Sequence, residues 1–256
     1  MSELKFHKIN KADGVARITL NRPKHNVFNI EMMREFIAEL KKMVADDGLK
    51  CVVIDAEGAS WCAGVEVADH KPEMADEMIG TFNQIFETIE QLDIPVIATI
   101  QGACLGGGME VAIACDIIVA AKSALFGQPE IKLGFFPPYA AMRLPHLVGP
   151  SRAIEICTTG KRYSAAEALS MGMIGHCVED DMLAETTDKL IKEITYNSPL
   201  IIRLNKRAVK KHLGMDFEGA LAGVSDLFLN QLIKTEDTCE GIASFEEKRR
   251  PVWKNK

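Results

Sequence analysis

The stretch "GACLGGGMEVAIACD", residues 102–116, sets three consecutive glycines directly ahead of an apolar run that holds one carboxylate, Glu110. Glycine destabilises the interior of a helix or strand, so such a run marks backbone that bends sharply or meets something at close range. Upstream, "IPVIATIQG" (94–102) reads as a buried strand, and downstream "EVAIACD" continues as a helix. A strand ending at Gly102, a glycine-rich turn and a helix opening near Gly107 leave several backbone N–H groups without intrahelical partners. Those donors sit at the positive end of the helix dipole and suit an anion or a developing oxyanion. "SWCAGVEV" (60–67) is a second small-residue turn between a strand and a helix. Two donors from separate segments make a good oxyanion hole, one alone a weak hole. The competing reading is structural, with glycines that serve packing alone.

Outward from this stretch the chain reads as α/β. "FHKINKADGVARITLN" (6–21) alternates on either side of Asp13-Gly14, a hairpin signal. "NIEMMREFIAELKKMVAD" (29–46) has apolar residues at helical spacing behind Asn29, a plausible N-cap. "CVVIDAEG" (51–58) predicts a short buried strand, 73–92 a helix, and "IIVAAKSALFG" (117–127) a strand pair. From Ser151 onward helical patterns dominate, at 151–158, 164–171, 180–196, 199–212 and 216–233. The plan is a core of strand–strand–helix units over residues 1–195, followed by a helical carboxy-terminal region, 196–256.

Composition narrows the function classes. A chain of 256 residues, 47% apolar and 26% charged, is ordinary for a globular protein with a sizeable core. A net charge of −6 argues against nucleic acid as the main partner. Seven cysteines without a C-x-x-C pair read as reduced, buried thiols and hold no metal-ligand spacing. "MSELKFHKIN" lacks the apolar core of a leader peptide, and no run reaches transmembrane length, so a cytoplasmic protein is expected. The dinucleotide fingerprint G-x-G-x-x-G fails because Val111 stands where its last glycine belongs, and no P-loop motif occurs.

Two carboxylates stand in apolar settings. Glu110 falls in the first turn of its helix, and Glu130 lies in "FGQPEIKLGFFPP" (126–138). Such a pair can have separated pKa values and divide acid and base roles. The bland alternatives are a dipole partner for Glu110 and a solvated loop acid for Glu130; periodicity alone does not bring the two together.

"GACLGGGMEVAIACDIIVAAKSALFGQPEIKLG" resembles the signature region of the crotonase (enoyl-CoA hydratase/isomerase) superfamily. The likeness extends to "ITLNRPKHNVFN", "CAGVEV" and "EGIASFEEKRRPVW". It implies a crotonase spiral of ββα units with a helical carboxy-terminal trimerisation region, and a homotrimer or dimer of trimers. It also implies an acyl-CoA substrate whose thioester carbonyl is held by the backbone N–H groups of Val65 and Gly107. Glu110 and Glu130 match the two acids that hold a water and deliver it across a double bond. Ala63 and Gly64 fall in the substrate-binding segment. Lys24, Phe245 and Lys248 match positions that meet CoA in relatives, although a solvated helix end is the plain reading of "FEEKRR". No metal or separate cofactor is implied. Asp116 resembles a structural residue, and His70 is either a pocket residue or an ordinary surface or core histidine.

One departure bears on the substrate. Hydratases of this superfamily continue after the second acid with a loop resembling P-G-x-G-G-T-x-R-L, whereas this chain has "FFPPYAAMRLP" (135–145). Pro137, Pro138 and Tyr139 in place of glycines predict a stiff, bulky pocket wall suited to a ring. With "GVEVADHKPE" (64–73), the pattern is most similar to the cyclic dienoyl-CoA hydratases of anaerobic aromatic degradation. An ordinary short-chain enoyl-CoA hydratase and a non-catalytic binding protein on the same fold are the alternatives.

Overall fold

The computed structural model describes residues 4–22 and 24–256. Residues 1–3, the start of the stretch expected to carry no leader, and Pro23 of "RPKHN" lie outside the described residues. Strand β1 (His7–Ala12) and β2 (Val15–Leu20) form the expected antiparallel hairpin. Asp13 and Gly14 turn between them with φ of 52° and 77°, the two positive values that a type I′ turn requires. In α1 (Ile30–Val44) the Met32 N–H donates to Asn29 Oδ1 at 2.9 Å, and Met32, Met33, Phe36, Leu40 and Met43 are buried.

The chain then repeats one unit. The first turn is β3 (Cys51–Ala56), β4 (Ser60–Cys62) and α2 (Pro72–Glu90). The second is β5 (Val96–Ile100), β6 (Ala103–Leu105) and α3 (Gly107–Ala114), and the third is β7 (Ile117–Ala121), β8 (Leu125–Gly127) and α4 (Pro138–Val148). After these come α5 (Pro150–Thr159), β9 (Arg162–Ser164), α6 (Ala165–Ser170), β10 (His176–Val178) and α7 (Leu183–Thr195). Helices α8 (Pro199–Lys210), α9 (Phe217–Asn230) and α10 (Glu236–Glu246) end the chain. Each repeat sends its first strand to a six-stranded sheet, β1-β2-β3-β5-β7-β10, and its second to a four-stranded sheet, β4-β6-β8-β9. Pairing between successive repeats is parallel, and β1–β2 and β8–β9 are antiparallel. This is the ββα spiral that the sequence implied.

Strand alternation divides the six-stranded sheet between two cores. Ile18, Leu20, Val52, Ile54, Val96 and Ala98 face the main core with α1 and α2, while Cys51, Val53, Ile97 and Val119 pack with Ile191 of α7.

Several sequence expectations change. Residues 117–127 do not pair with themselves, because β7 and β8 belong to different sheets. Residues 103–105, expected within the glycine turn, form β6 of the second sheet. Only the first three residues of "FFPPYAAMRLP" are loop: Pro138 takes the first position of α4, where its missing N–H costs nothing, and Pro145 lies inside that helix. The helix expected over 216–233 ends at Asn230, and α10 was not among the helices read. Of the seven cysteines, Cys51, Cys62, Cys104 and Cys115 are buried, Cys157 and Cys177 partly so, and Cys239 is exposed, which corrects the expectation of uniformly buried thiols.

His7 anchors the first strand. Its side chain is fully buried, Nδ1 bonds Glu35 at 2.7 Å, the ring stacks on Phe36, and Nε2 has no partner among the described residues. Burial lowers its pKa from 6.5, against the opposing pull of Glu35 and Glu39. The unfolded chain therefore binds more protons than the fold just below pH 6.5, so His7's contribution is complete above that pH and declines as pH falls. Urea midpoints between pH 7 and 5 are expected to fall more steeply for the parent than for His7→Gln; equal slopes would remove His7 as the acid-sensitive group.

Candidate active site

The four-stranded sheet builds the site. Its strands β4, β6 and β8 lie side by side and parallel, and their carboxyl ends run into residues 63–65, 106–107 and 128–130. Convergence at the carboxyl ends of parallel strands is where open α/β sheets place ligands.

The first segment is held by the loop before α1. Asn26, buried and in the left-handed region at φ 50°, donates from Nδ2 to the carbonyls of Glu57 and Ser60 at 2.9 Å each, while its Oδ1 accepts from the Arg22 N–H. The Phe28 N–H donates to Gly64 O at 2.9 Å and the Glu66 N–H to Phe28 O at 2.7 Å, so Val65 is the bridge partner of Phe28. In a parallel bridge the N–H of that partner residue points to the opposite side. Accordingly the Val65 N–H has no hydrogen bond among the described residues. Asn26 was missed in the sequence; its one signal is a residue type that tolerates the left-handed conformation.

The second segment is the glycine turn. Gly106 sits at φ 53°, accepts from the Glu110 N–H and donates to Gly127 O, both at 2.9 Å. Gly107 then opens α3, so its N–H lacks an intrahelical partner. A Cβ on Gly107 would meet Val65 Cγ2 at 2.5 Å and Phe82 Cζ at 3.0 Å, and one on Gly108 would run into Cys62. The glycines therefore serve close packing as well as exposing donors, so the two readings of the motif are compatible.

The acids come together in one cavity of ≈ 350 Å³. Ala63, Gly64, Val65, Gly106, Gly107, Glu110 and Glu130 line one part of it. Val67, His70, Ala75, Met78, Ile79, Phe82, Pro129, Leu133, Gly134, Phe135, Phe136, Pro137 and Pro138 complete it. Glu110, in α3, is 3% exposed, and its Oε1 accepts from the Ala140 N–H at 2.9 Å. Burial pushes its pKa up to about 7, the Glu130 charge adds to the rise, and the N–H groups of Ala140 and Tyr139 oppose it. Glu130 lies in a short helical turn, Pro129–Leu133. Burial also raises it to about 7, against its own N–H and that of Gly107, and its Oε2 is buried without a partner among the described residues. Glu130 is therefore not the freely solvated loop acid of the bland alternative.

One expectation is corrected here. Tyr139 does not line the cavity; its ring stacks on Phe86 with centroids 3.8 Å apart and planes at 11°, while its N–H serves Glu110. Pro137 and Pro138 line the cavity, with phenyl rings rather than a tyrosine beside them. Lys24, Phe245 and Lys248 do not line it within this chain; Phe245 is 86% exposed on α10. His70 does line it. Its Nδ1–H donates to Glu66 O at 3.0 Å and its ring rests 5.1 Å from that of Phe135. Asp116 ties β5 to α8, accepting from the Val96 N–H at 2.8 Å and from Lys206 Nζ at 2.5 Å, a structural role. No group of three metal-ligating side chains occurs among the described residues, nor is any helix among them long and apolar enough to cross a membrane.

Chemically, the cavity brings together two carboxyl groups that burial raises to about 7 and the residues Val65 and Gly107 on its wall. Such a pair can take a proton from one reactant atom and give one to another.

Comparison with known proteins agrees with this geometry. Residues 10–256 match the enoyl-CoA hydratase/isomerase family. The chain is 33% identical to a short-chain-enoyl-CoA hydratase of Clostridium acetobutylicum over 94% of its length and 95% of that protein's. It is 31% identical to a cyclohexa-1,5-dienecarbonyl-CoA hydratase of Thauera aromatica, over 97% and 96%. The crystal structure of an enoyl-CoA hydratase from Bacillus anthracis superposes with a TM-score of 0.91 at 30% identity, covering 98% of this chain and all of that one.

The raised carboxyls have a cost in stability. Each binds its proton more tightly in the fold, at about 7, than a free glutamate does at 4.5, so stability falls as pH rises through that window. Glu110→Gln and Glu130→Gln are expected to melt higher than the parent at pH 8, by the equivalent of roughly 1–3 kcal/mol each, and no higher at pH 4.5. A Gln variant that gains nothing at pH 8 would show that the charged form is not strained there.

Proposed function

The chain belongs to the enoyl-CoA hydratase/isomerase family, and from that premise we propose that it adds water across a carbon–carbon double bond conjugated to a CoA thioester. The observation that carries the reading is the meeting of Glu110 and Glu130 in one cavity that Val65 and Gly107 also line. The thioester oxygen accepts from the N–H groups of Val65 and Gly107, and the charge that develops on it is stabilised by donors already in place.

The surroundings of the acids assign their roles. Glu110 receives the N–H groups of Tyr139 and Ala140 at the start of α4, which favour its ionised form. It takes a proton from water while the water oxygen bonds to the β-carbon. The π electrons move toward the thioester and give an enolate. Glu130, whose Oε2 has no partner to favour a charge, is the protonated member and gives its proton to the α-carbon. One proton remains on the pair at the end, now on Glu110, and exchange restores the starting state.

For the substrate we propose a cyclic dienoyl-CoA, cyclohexa-1,5-diene-1-carbonyl-CoA being the model compound. Support comes from the rigid wall of Pro137 and Pro138, the flanking Phe82, Phe135 and Phe136, and the likeness to the Thauera aromatica protein. A flat ring loses little conformational freedom against such a wall, whereas a flexible chain loses more. The likeness to the Clostridium acetobutylicum protein favours the second reading, a short linear enoyl-CoA. CoA enters as part of the substrate, and assembly as a trimer or dimer of trimers is proposed from the superfamily resemblance.

Glu110→Gln and Glu130→Gln are each expected to lower turnover by about a hundredfold or more while leaving acyl-CoA binding largely intact. Near-normal turnover in either variant would remove that residue from the mechanism. Side-by-side kinetics with the cyclic dienoyl-CoA and crotonyl-CoA are expected to give the higher kcat/KM for the ring. A preference for crotonyl-CoA would select the linear reading and leave the hydratase reading standing.

A further inference from the structure

The contact between Glu130 and the glycine turn carries one step further. In this structure the Glu130 carboxyl lies against the bare Cα of Gly106; a Cβ there would overlap Glu130 Oε1. The N–H of Gly107, the next residue, favours the charge on the same carboxyl. That N–H is also the donor assigned to the thioester oxygen in the proposed reaction, and a single N–H is not fully shared between two acceptors. Glu110 is placed differently. Its donors, Ala140 and Tyr139, belong to α4 and take no part in the oxyanion contact.

We propose that the Gly106–Gly107 turn positions the acid as well as the substrate: it seats the Glu130 carboxyl, passes its N–H to the thioester when substrate binds, and so makes binding drive Glu130 to take up a proton. The inference rests on the hydratase reading and deepens it.

The physical sequence is short. A thioester oxygen at Gly107 draws away a donor that favours ionised Glu130, and Oε2 has no partner among the described residues to replace it. An apolar acyl group filling the cavity strips further solvent from the same carboxyl. Glu110 keeps its bond from the Ala140 N–H and the nearby Tyr139 N–H, and stays the preferred site of the negative charge. Two acids that begin at about the same value, near 7, are thereby separated by substrate, into the base and the acid that the chemistry needs. The other titratable groups facing Glu130 are Glu110 on α3, Cys157 on α5 and His70 across the cavity, with Lys132 on its own turn. The Cys157 thiol is pushed up to about 11 by burial and stays neutral through the working range.

The test is calorimetric titration of the full-length protein with butyryl-CoA, a saturated thioester that cannot be hydrated. Titrations at pH 8 in buffers of different ionisation enthalpy report the protons bound per site. Uptake of a large fraction of one proton is expected with butyryl-CoA but not with free CoA, which has the same phosphates and no thioester carbonyl. The uptake is expected to persist in His70→Gln and to vanish in Glu130→Gln. Binding of butyryl-CoA with no more uptake than free CoA would overturn the inference alone, as would uptake that survives in Glu130→Gln. Failure of the protein to bind butyryl-CoA at all would overturn the hydratase reading and this inference with it.

Discussion

Two carboxyl groups enclosed in one apolar cavity repel each other and lack solvent, and the backbone around residues 106–140 is arranged about that difficulty. Glu110 is accommodated by the opening of α4. The first helical turn has N–H groups with no partner inside the helix, and Pro137 and Pro138 contribute none. The first available donors are then Tyr139 and Ala140; the Ala140 N–H bonds Glu110 at 2.9 Å and that of Tyr139 favours its charge. Glu130 receives less: its own N–H and that of Gly107 favour its charge, but no donor comparable to Ala140 reaches it, and Oε2 has no partner among the described residues. The asymmetry between two chemically identical side chains comes from which helix start faces each of them.

The spiral explains how residues far apart in sequence reach one another. Each turn ends a short parallel strand in the four-stranded sheet, and successive strands are neighbours there. The segments after β4, β6 and β8 must then converge. Close convergence needs small residues at the crossings. Gly108 leaves room for Cys62, Gly107 for Val65 and Phe82, and Gly106 for the carboxyl of Glu130. No two of the three glycines share a neighbour in that set.

Reaction and substrate are encoded at different depths. The donors and acids sit on backbone that the spiral itself positions. The remaining wall comes from the turn at residues 67–70, one face of α2 and the segment 133–138, joined across the cavity by the contact of His70 with Phe135. Changes in those segments alter the shape offered to an acyl group without disturbing the strand ends that hold the acids.

Local pattern alone determined much of this protein. The hairpin at Asp13-Gly14, the cap at Asn29, the buried strands, the helix opening at Gly107 and the placing of Glu110 in its first turn follow from turn chemistry and apolar spacing between near neighbours. The superfamily resemblance named Val65 and Glu130 as partners, which spacing could not do. Tertiary structure decided the rest, for reasons local pattern does not contain. Strands of three residues, such as β4, β6 and β8, are too short to show alternation and exist because neighbouring strands pair with them. "FFPPYAAMRLP" looks like a loop because proline usually ends regular structure, yet Pro138 begins a helix whose N–H groups Glu110 accepts. Tyr139 looks like part of the pocket wall, but the helix turns its ring onto Phe86. The pKa values of the two acids depend on burial and on donors some 30 residues away in the chain, a relation that exists only once the spiral has closed.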